Sequence, residues 1–161
     1  QFIQADTASR RGLIQALGLQ GEILVKTLFA LQGAGATGKS DTLIRLYALI
    51  KVKYPNASYR EFHRGRDVKV IIDRVDGKKI GLESQGDPNS RLSDSLALFK
   101  SERCDIIFCA CRSSGMTVNF VNSLSPPYKA IFVLQTRVNT RSQQSSSNDK
   151  MADMLMHISG L

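Results

Sequence analysis

The spacing of apolar positions changes several times along this chain, and each change marks an element. Residues 25–32, VKTLFALQ, are mostly apolar and stop at Gly33. A short apolar run closed by a turn signal predicts a buried central strand. Over residues 39–54 (KSDTLIRLYALIKVKY) the apolar positions become Leu43, Ile44, Tyr47 and Ile50, widened by Leu46 and Leu49. That is one face of a helix, and Pro55 stops it. Residues 56–67, NASYREFHRGRD, then read as a polar, basic loop.

Asp76-Gly77 sits between two apolar runs, VKVIIDRV and KKIGLE. This is the strongest short-range hairpin signal. A two-residue loop would set Arg74 opposite Lys79, which like charges disfavour; a bulged loop would shift that pairing, so the register stays open. Residues 88–102 place Leu92, Leu96 and Phe99 on one helix face, with Asp87 as N-cap and Pro88 at the first helical position. Strands are expected at 104–111 and 129–135, with a short helix in SSGMTVNFVNSL between them. The Ser/Gln-rich stretch 137–148 reads as a mobile polar loop. A closing helix follows over about residues 149–159, capped by Asn148 or Ser147, with Gly160 past its end. Residues 5–24 are interrupted by Gly12, Gly18 and Gly21 and read as a short leading helix and turn. Alternating strands and helices predict one α/β domain, 1–161, around a mostly parallel sheet with one antiparallel hairpin strand.

The chemistry concentrates where the first strand meets the first helix. Gly33-Ala34-Gly35-Ala36-Thr37-Gly38-Lys39-Ser40 fits G-x-x-x-x-G-K-[ST] at every required position. Small residues let successive backbone N–H groups turn inward around a phosphate. The helix beginning at Lys39, with Asp41 in its first turn, adds free N–H groups and the positive end of its dipole. Lys39 can reach the outer phosphates, and the Ser40 hydroxyl can take Mg²⁺.

These residues resemble the P-loop NTPase superfamily, with Walker A at Gly33 to Ser40 and a looser likeness along residues 25–160. The resemblance implies a three-layer α/β fold that binds a nucleoside triphosphate with Mg²⁺. It also implies an acidic residue at the end of an apolar strand, to hold the metal directly or through water. Glu83 stands there, and Glu83-Ser84-Gln85-Gly86 is similar to the D-x-x-G of GTPases, with Glu for Asp. Gln85 is a candidate for positioning water. The strand after Tyr128 is followed by Thr136-Arg137-Val138-Asn139, not N-K-x-D, and the usual switch threonine is missing, so ATP is expected over GTP.

In a parallel α/β sheet, ligands sit beyond the carboxyl ends of the strands. Gly33, Glu83, Arg112 and Arg137 fall at those ends, so Arg112 and Arg137 are candidates for contacting transferred phosphate. Arg60, His63, Arg64 and Arg66 lie in the loop after the first helix. Three outcomes stay open: hydrolysis, slightly favoured; transfer to a small phosphorylated acceptor by a nucleoside- or nucleotide-type kinase; and nucleotide-dependent binding with little turnover.

Composition adds direction more than detail. The net charge of +8 over 161 residues favours anionic partners, with nucleic acid possible though no readout motif is present. Cys109 and Cys111 form a C-x-C without a second ligand pair, so the three cysteines read as small buried hydrophobes. No apolar run approaches a membrane span, and the first residues lack the order of a secretory signal; the cytoplasm is the expected location.

Overall fold

A computed structural model describes residues 25–161; the expected leading helix lies outside the described residues. Ten elements follow in chain order: β1 (Lys26–Gln32), α1 (Lys39–Lys53), β2 (Ser58–Glu61), β3 (Lys69–Val75), β4 (Lys78–Glu83), α2 (Leu92–Ser101), β5 (Ile106–Cys111), α3 (Met116–Asn122), β6 (Tyr128–Leu134) and α4 (Arg141–Ser159). The six strands form one mixed sheet in the order β2-β3-β4-β5-β1-β6. Strands β4, β5, β1 and β6 are parallel, while β3 pairs antiparallel with both β2 and β4. Only β3 therefore runs against the rest, as the Asp76-Gly77 signal predicts.

Alternation along the central strands divides the core in two. Phe29 and Leu31 pack with Leu43, Leu46 and Ile50 of α1 and with Ala152 and Leu155 of α4. Leu28 and Ala30 point the other way, toward Leu92, Leu96 and Phe99 of α2 and Val121 of α3. Helices thus cover both faces, which explains why β1 and β5 are nearly continuous apolar runs. All six residues of β5 are buried. Its Cys109 and Cys111 are free thiols in that core, as is the neighbouring Cys104, and burial pushes Cys104 up to about 12. Among the described residues no helix is long and apolar enough to cross a membrane.

The structure changes two local expectations and settles a third. The basic loop after α1 contains a strand, β2, whose four residues pair with Val70 to Asp73 at the sheet edge. Its pattern, SYRE, carries no apolar alternation because none of these residues is buried. The hairpin is bulged: Ile72 pairs with Ile80 and Val75 with Lys78, while Arg74 and Asp76 take positive φ of 65° and 50°. The bulge leaves Lys79 3.6 Å from Asp73 and 3.4 Å from Glu102, so it meets carboxylates rather than the Arg74 cation. Finally, residues 141–148 are helix, not a mobile loop. α4 begins with Thr140, whose hydroxyl accepts from the Gln143 N–H, so Asn148 and Ser147 are interior helix residues rather than caps.

One close approach sets the distance between α2 and the sheet. A Cβ at Gly81 in β4 would lie 2.6–2.8 Å from ring carbons of Phe99, which is fully buried. Gly81→Ala must displace that ring or the strand, and overpacking of this kind costs about 1–3 kcal/mol. The expected readout is a lower urea midpoint at unchanged slope; an unshifted midpoint would mean the helix yields freely.

Candidate functional site

The loop of residues 33–40 joins the end of β1 to the start of α1. Gly38, directly before the helix, has φ 90° and ψ 10°, a left-handed geometry that favours glycine. Its carbonyl accepts the first helical bond, from the Thr42 N–H at 3.0 Å. Lys39 opens the helix but folds back over the loop. Its Nζ donates to the Gly33 carbonyl at 2.9 Å and to the Ala34 carbonyl at 2.6 Å. The side chain is 8% exposed. Burial, and then the positive charge of Arg112, hold the ammonium below the usual lysine range, against smaller opposing effects of Asp87 and Cys111. Two cations thus share one small region, an arrangement that an anion between them would stabilise.

Beyond this loop lies a cleft of about 890 Å³, and the strands explain its position. Residues 35–41 follow β1, residues 85–90 follow β4, and Ala110 and Arg112 come from the end of β5; all line the cleft. Arg66 and Asp67 complete it from the other chain direction. They precede β3, and because β3 is antiparallel, its first residue shares a rim with the last residues of its neighbours. Arg64 and Asp67 exchange backbone hydrogen bonds of 3.4 and 3.2 Å, which closes the turn that presents them.

Within the cleft Asp67 is tied to the other wall. Its Oδ1 accepts from the Ser84 hydroxyl and its Oδ2 from the Gln85 amide, both at 3.0 Å. The Gln85 Oε1 accepts in turn from the Arg91 N–H at 3.3 Å, so both ends of that carboxamide are held. Ser40 Oγ donates to the Ser84 carbonyl at 2.8 Å, linking the start of α1 to the same strand end.

Of the residues picked out by sequence, the structure brings Gly35 to Asp41, Gln85 and Arg112 together at the cleft, with Gly33 and Ala34 behind them holding Lys39. It separates two others. Arg137 is exposed between β6 and α4 and does not line the cleft. Glu83 is fully buried and also outside it. The register explains why: Glu83 is level with Cys109, and Cys109 with Ala30. It therefore stops three residues short of Gly33, about 10 Å along the strand. The carboxylate instead faces α2. Oε1 accepts from Arg91 Nε at 2.7 Å and from the Ser95 hydroxyl at 2.5 Å, and Oε2 from Arg91 Nη2 and the Gln85 N–H, each at 3.2 Å. The expected metal role of Glu83 is corrected here to a structural one, since its lone pairs are engaged away from the cleft. Asp87 likewise does not cap α2, whose N-cap is Arg91; its carboxylate pairs with Arg112 at 2.7 Å.

No protein-family model, curated protein or solved structure gives a significant match to this chain. Its geometry must therefore be read on its own terms.

Sequence reasoning misses Asp67, although the hairpin contains the signal: an antiparallel strand starts where its parallel neighbours end. It also misses the polar residues behind the loop. Gln135 and Asn148 are 1% and 2% exposed, and both hydrogen-bond in a network around the Thr37 carbonyl.

The Glu83–Arg91 pair yields a direct test. Removing one partner of a buried pair leaves an uncompensated charge and costs about 3–5 kcal/mol. Glu83→Ala is expected to lower stability by that amount in urea denaturation. A loss below about 0.5 kcal/mol, the size of an ordinary surface change, would return Glu83 to the list of candidate ligands.

Proposed function

We propose that the chain is a Mg²⁺-dependent P-loop NTPase that binds a nucleoside triphosphate, ATP in preference to GTP, and hydrolyses it. The observation that carries this reading is the placement of Lys39. A glycine-rich loop runs from a parallel strand to a helix N-terminus, and its lysine is buried against the loop's own carbonyls beside Arg112. A packing turn has no use for a buried ammonium met only by carbonyls, with a second cation beside it. A phosphate in the loop gives Lys39 a counter-charge, takes hydrogen bonds from the free N–H groups of α1, and needs only a swing of the Lys39 ammonium.

The residues present fit magnesium. Among the described residues there is no cluster of three or more His, Cys, Asp or Glu side chains. A magnesium–nucleotide complex does not require one, because Mg²⁺ keeps several waters and takes one or two protein ligands beside the phosphates. Ser40, exposed at the cleft, and Asp67, across it on Ser84, would hold the ion. When bound, it would offset charge on the outer phosphate oxygens.

The chain's own groups supply the rest. Lys39 binds and neutralises the outer phosphates, and the loop N–H groups orient them. Gln85, fixed at both ends by Asp67 and the Arg91 N–H, is placed to orient a water at the cleft. One observation favours transfer to an acceptor as a second reading: Arg66, Asn89 and Ser90 line the cleft away from the loop and offer a polar wall for a small anionic substrate.

Phosphate release with ATP and Mg²⁺, alone and then with a panel of nucleosides and monophosphates, tests both. Release without acceptor supports hydrolysis, acceptor-dependent ADP formation supports transfer, and tight binding with neither supports a nucleotide-dependent binding module. Lys39→Ala is expected to abolish turnover and weaken triphosphate binding at least about 10-fold, the scale of one charge-assisted contact. Unchanged affinity and turnover would remove the site assignment.

A further inference from the structure

Arg112 follows β5, and its guanidinium lies flat against the loop. A Cβ built on Gly35 would fall 2.6 Å from Arg112 Nη1, 3.0 Å from Cζ and 3.2 Å from Nη2. The absence of a side chain at Gly35 is what lets the cation rest there. The group has two usable edges, and one is occupied: Nε and Nη2 both donate to Asp87 Oδ1, at 3.0 and 2.7 Å. The planar fork is rigid, so fixing that edge also fixes the rest of the group, and Nη1 is its atom nearest the Gly35 position.

Gly35 also lies near Lys39. Lys39, the residue that reaches the outer phosphates, lays its ammonium on Gly33 and Ala34, at the start of the loop. Arg112 is near enough to depress the Lys39 pKa. The two cations therefore lie together at the start of the loop, where a terminal phosphate would meet both.

On the reading of this cleft as a triphosphate site, we propose that Asp87 is a positioning residue. It holds the Arg112 guanidinium against Gly35, with the Nη1 side left open, and the pair makes the site discriminate a nucleoside triphosphate from a diphosphate. The Arg112 and Asp87 side chains are 38% and 69% exposed, so replacing either leaves the core packing untouched.

The test compares wild type, Arg112→Ala, Asp87→Ala, the double variant and Asp87→Glu. Each is titrated with ADP and with a non-hydrolysable ATP analogue in Mg²⁺, and kcat and KM for ATP are measured separately. Arg112→Ala and Asp87→Ala are each expected to weaken the triphosphate analogue about 10-fold while changing ADP affinity less than about 2-fold. The double variant should match Arg112→Ala alone, because Asp87 acts through it, and Asp87→Glu should recover part of the loss. Additive losses, equal losses for ADP and the analogue, or an Asp87→Ala variant that behaves as wild type would each overturn the positioning role while leaving the phosphate site standing. A wild type that binds neither nucleotide would overturn the phosphate site itself, and this inference with it.

Discussion

A loop packed between a strand end and a helix start carries backbone carbonyls into the fold, and those need partners. Here the Thr37 carbonyl accepts from Gln135 Nε2 at 2.9 Å and from Gln144 Nε2 at 3.0 Å. Both amides also donate to Asn148 Oδ1 at 2.7 Å, and Asn148 Nδ2 donates to Asp41. The Thr42 hydroxyl closes the circuit by donating to Gln135 Oε1. One network thus joins the loop, α1, the end of β6 and α4. Carboxamides serve as its hubs, since each donates through its nitrogen and accepts through its oxygen. With Gln135 and Asn148 buried, a missing member would strand its neighbours at about 1–3 kcal/mol each.

That constraint also explains what could be read from the chain. Strands β1 and β5 and helices α1 and α2 are visible because they bury apolar stripes whose period shows directly. The glycine-rich loop is visible because its chemistry needs fixed residue types at fixed spacing. The start of α4 is not. Gln144, Ser145 and Asn148 carry no apolar stripe because their partners are the Thr37 carbonyl, the Arg45 guanidinium, the Asp41 carboxylate and one another, not a core, and by composition alone such a stretch looks like a linker. Strand β2 is hidden for a related reason, as an edge strand of four residues with nothing buried to set its period.

Glu83 shows where motif reasoning stops. Sequence places it correctly at a strand end, but sequence holds no register. Pairing with Cys109 sets it below the rim, and alternation turns it toward Ser95 and Arg91 rather than to the loop. Asp67 is the converse, remote in sequence from any motif yet at the rim, because β3 runs backward into it. Which carboxylate reaches the cleft is decided by strand direction and stagger, and both are properties of the assembled sheet.

The two ion pairs that follow from β4 divide the work by burial. Glu83 and Arg91, at 0% and 16% side-chain exposure, are expensive to separate, so they lock the turn of residues 84–91 onto α2. Arg112 and Asp87, at 38% and 69%, sit in water, where an exposed pair is worth at most about 1 kcal/mol. A contact that weak stabilises the fold very little. It can still orient a guanidinium. The strong pair fastens the cleft wall to α2, and the weak one sets the direction of a cation on that wall at little cost to the fold.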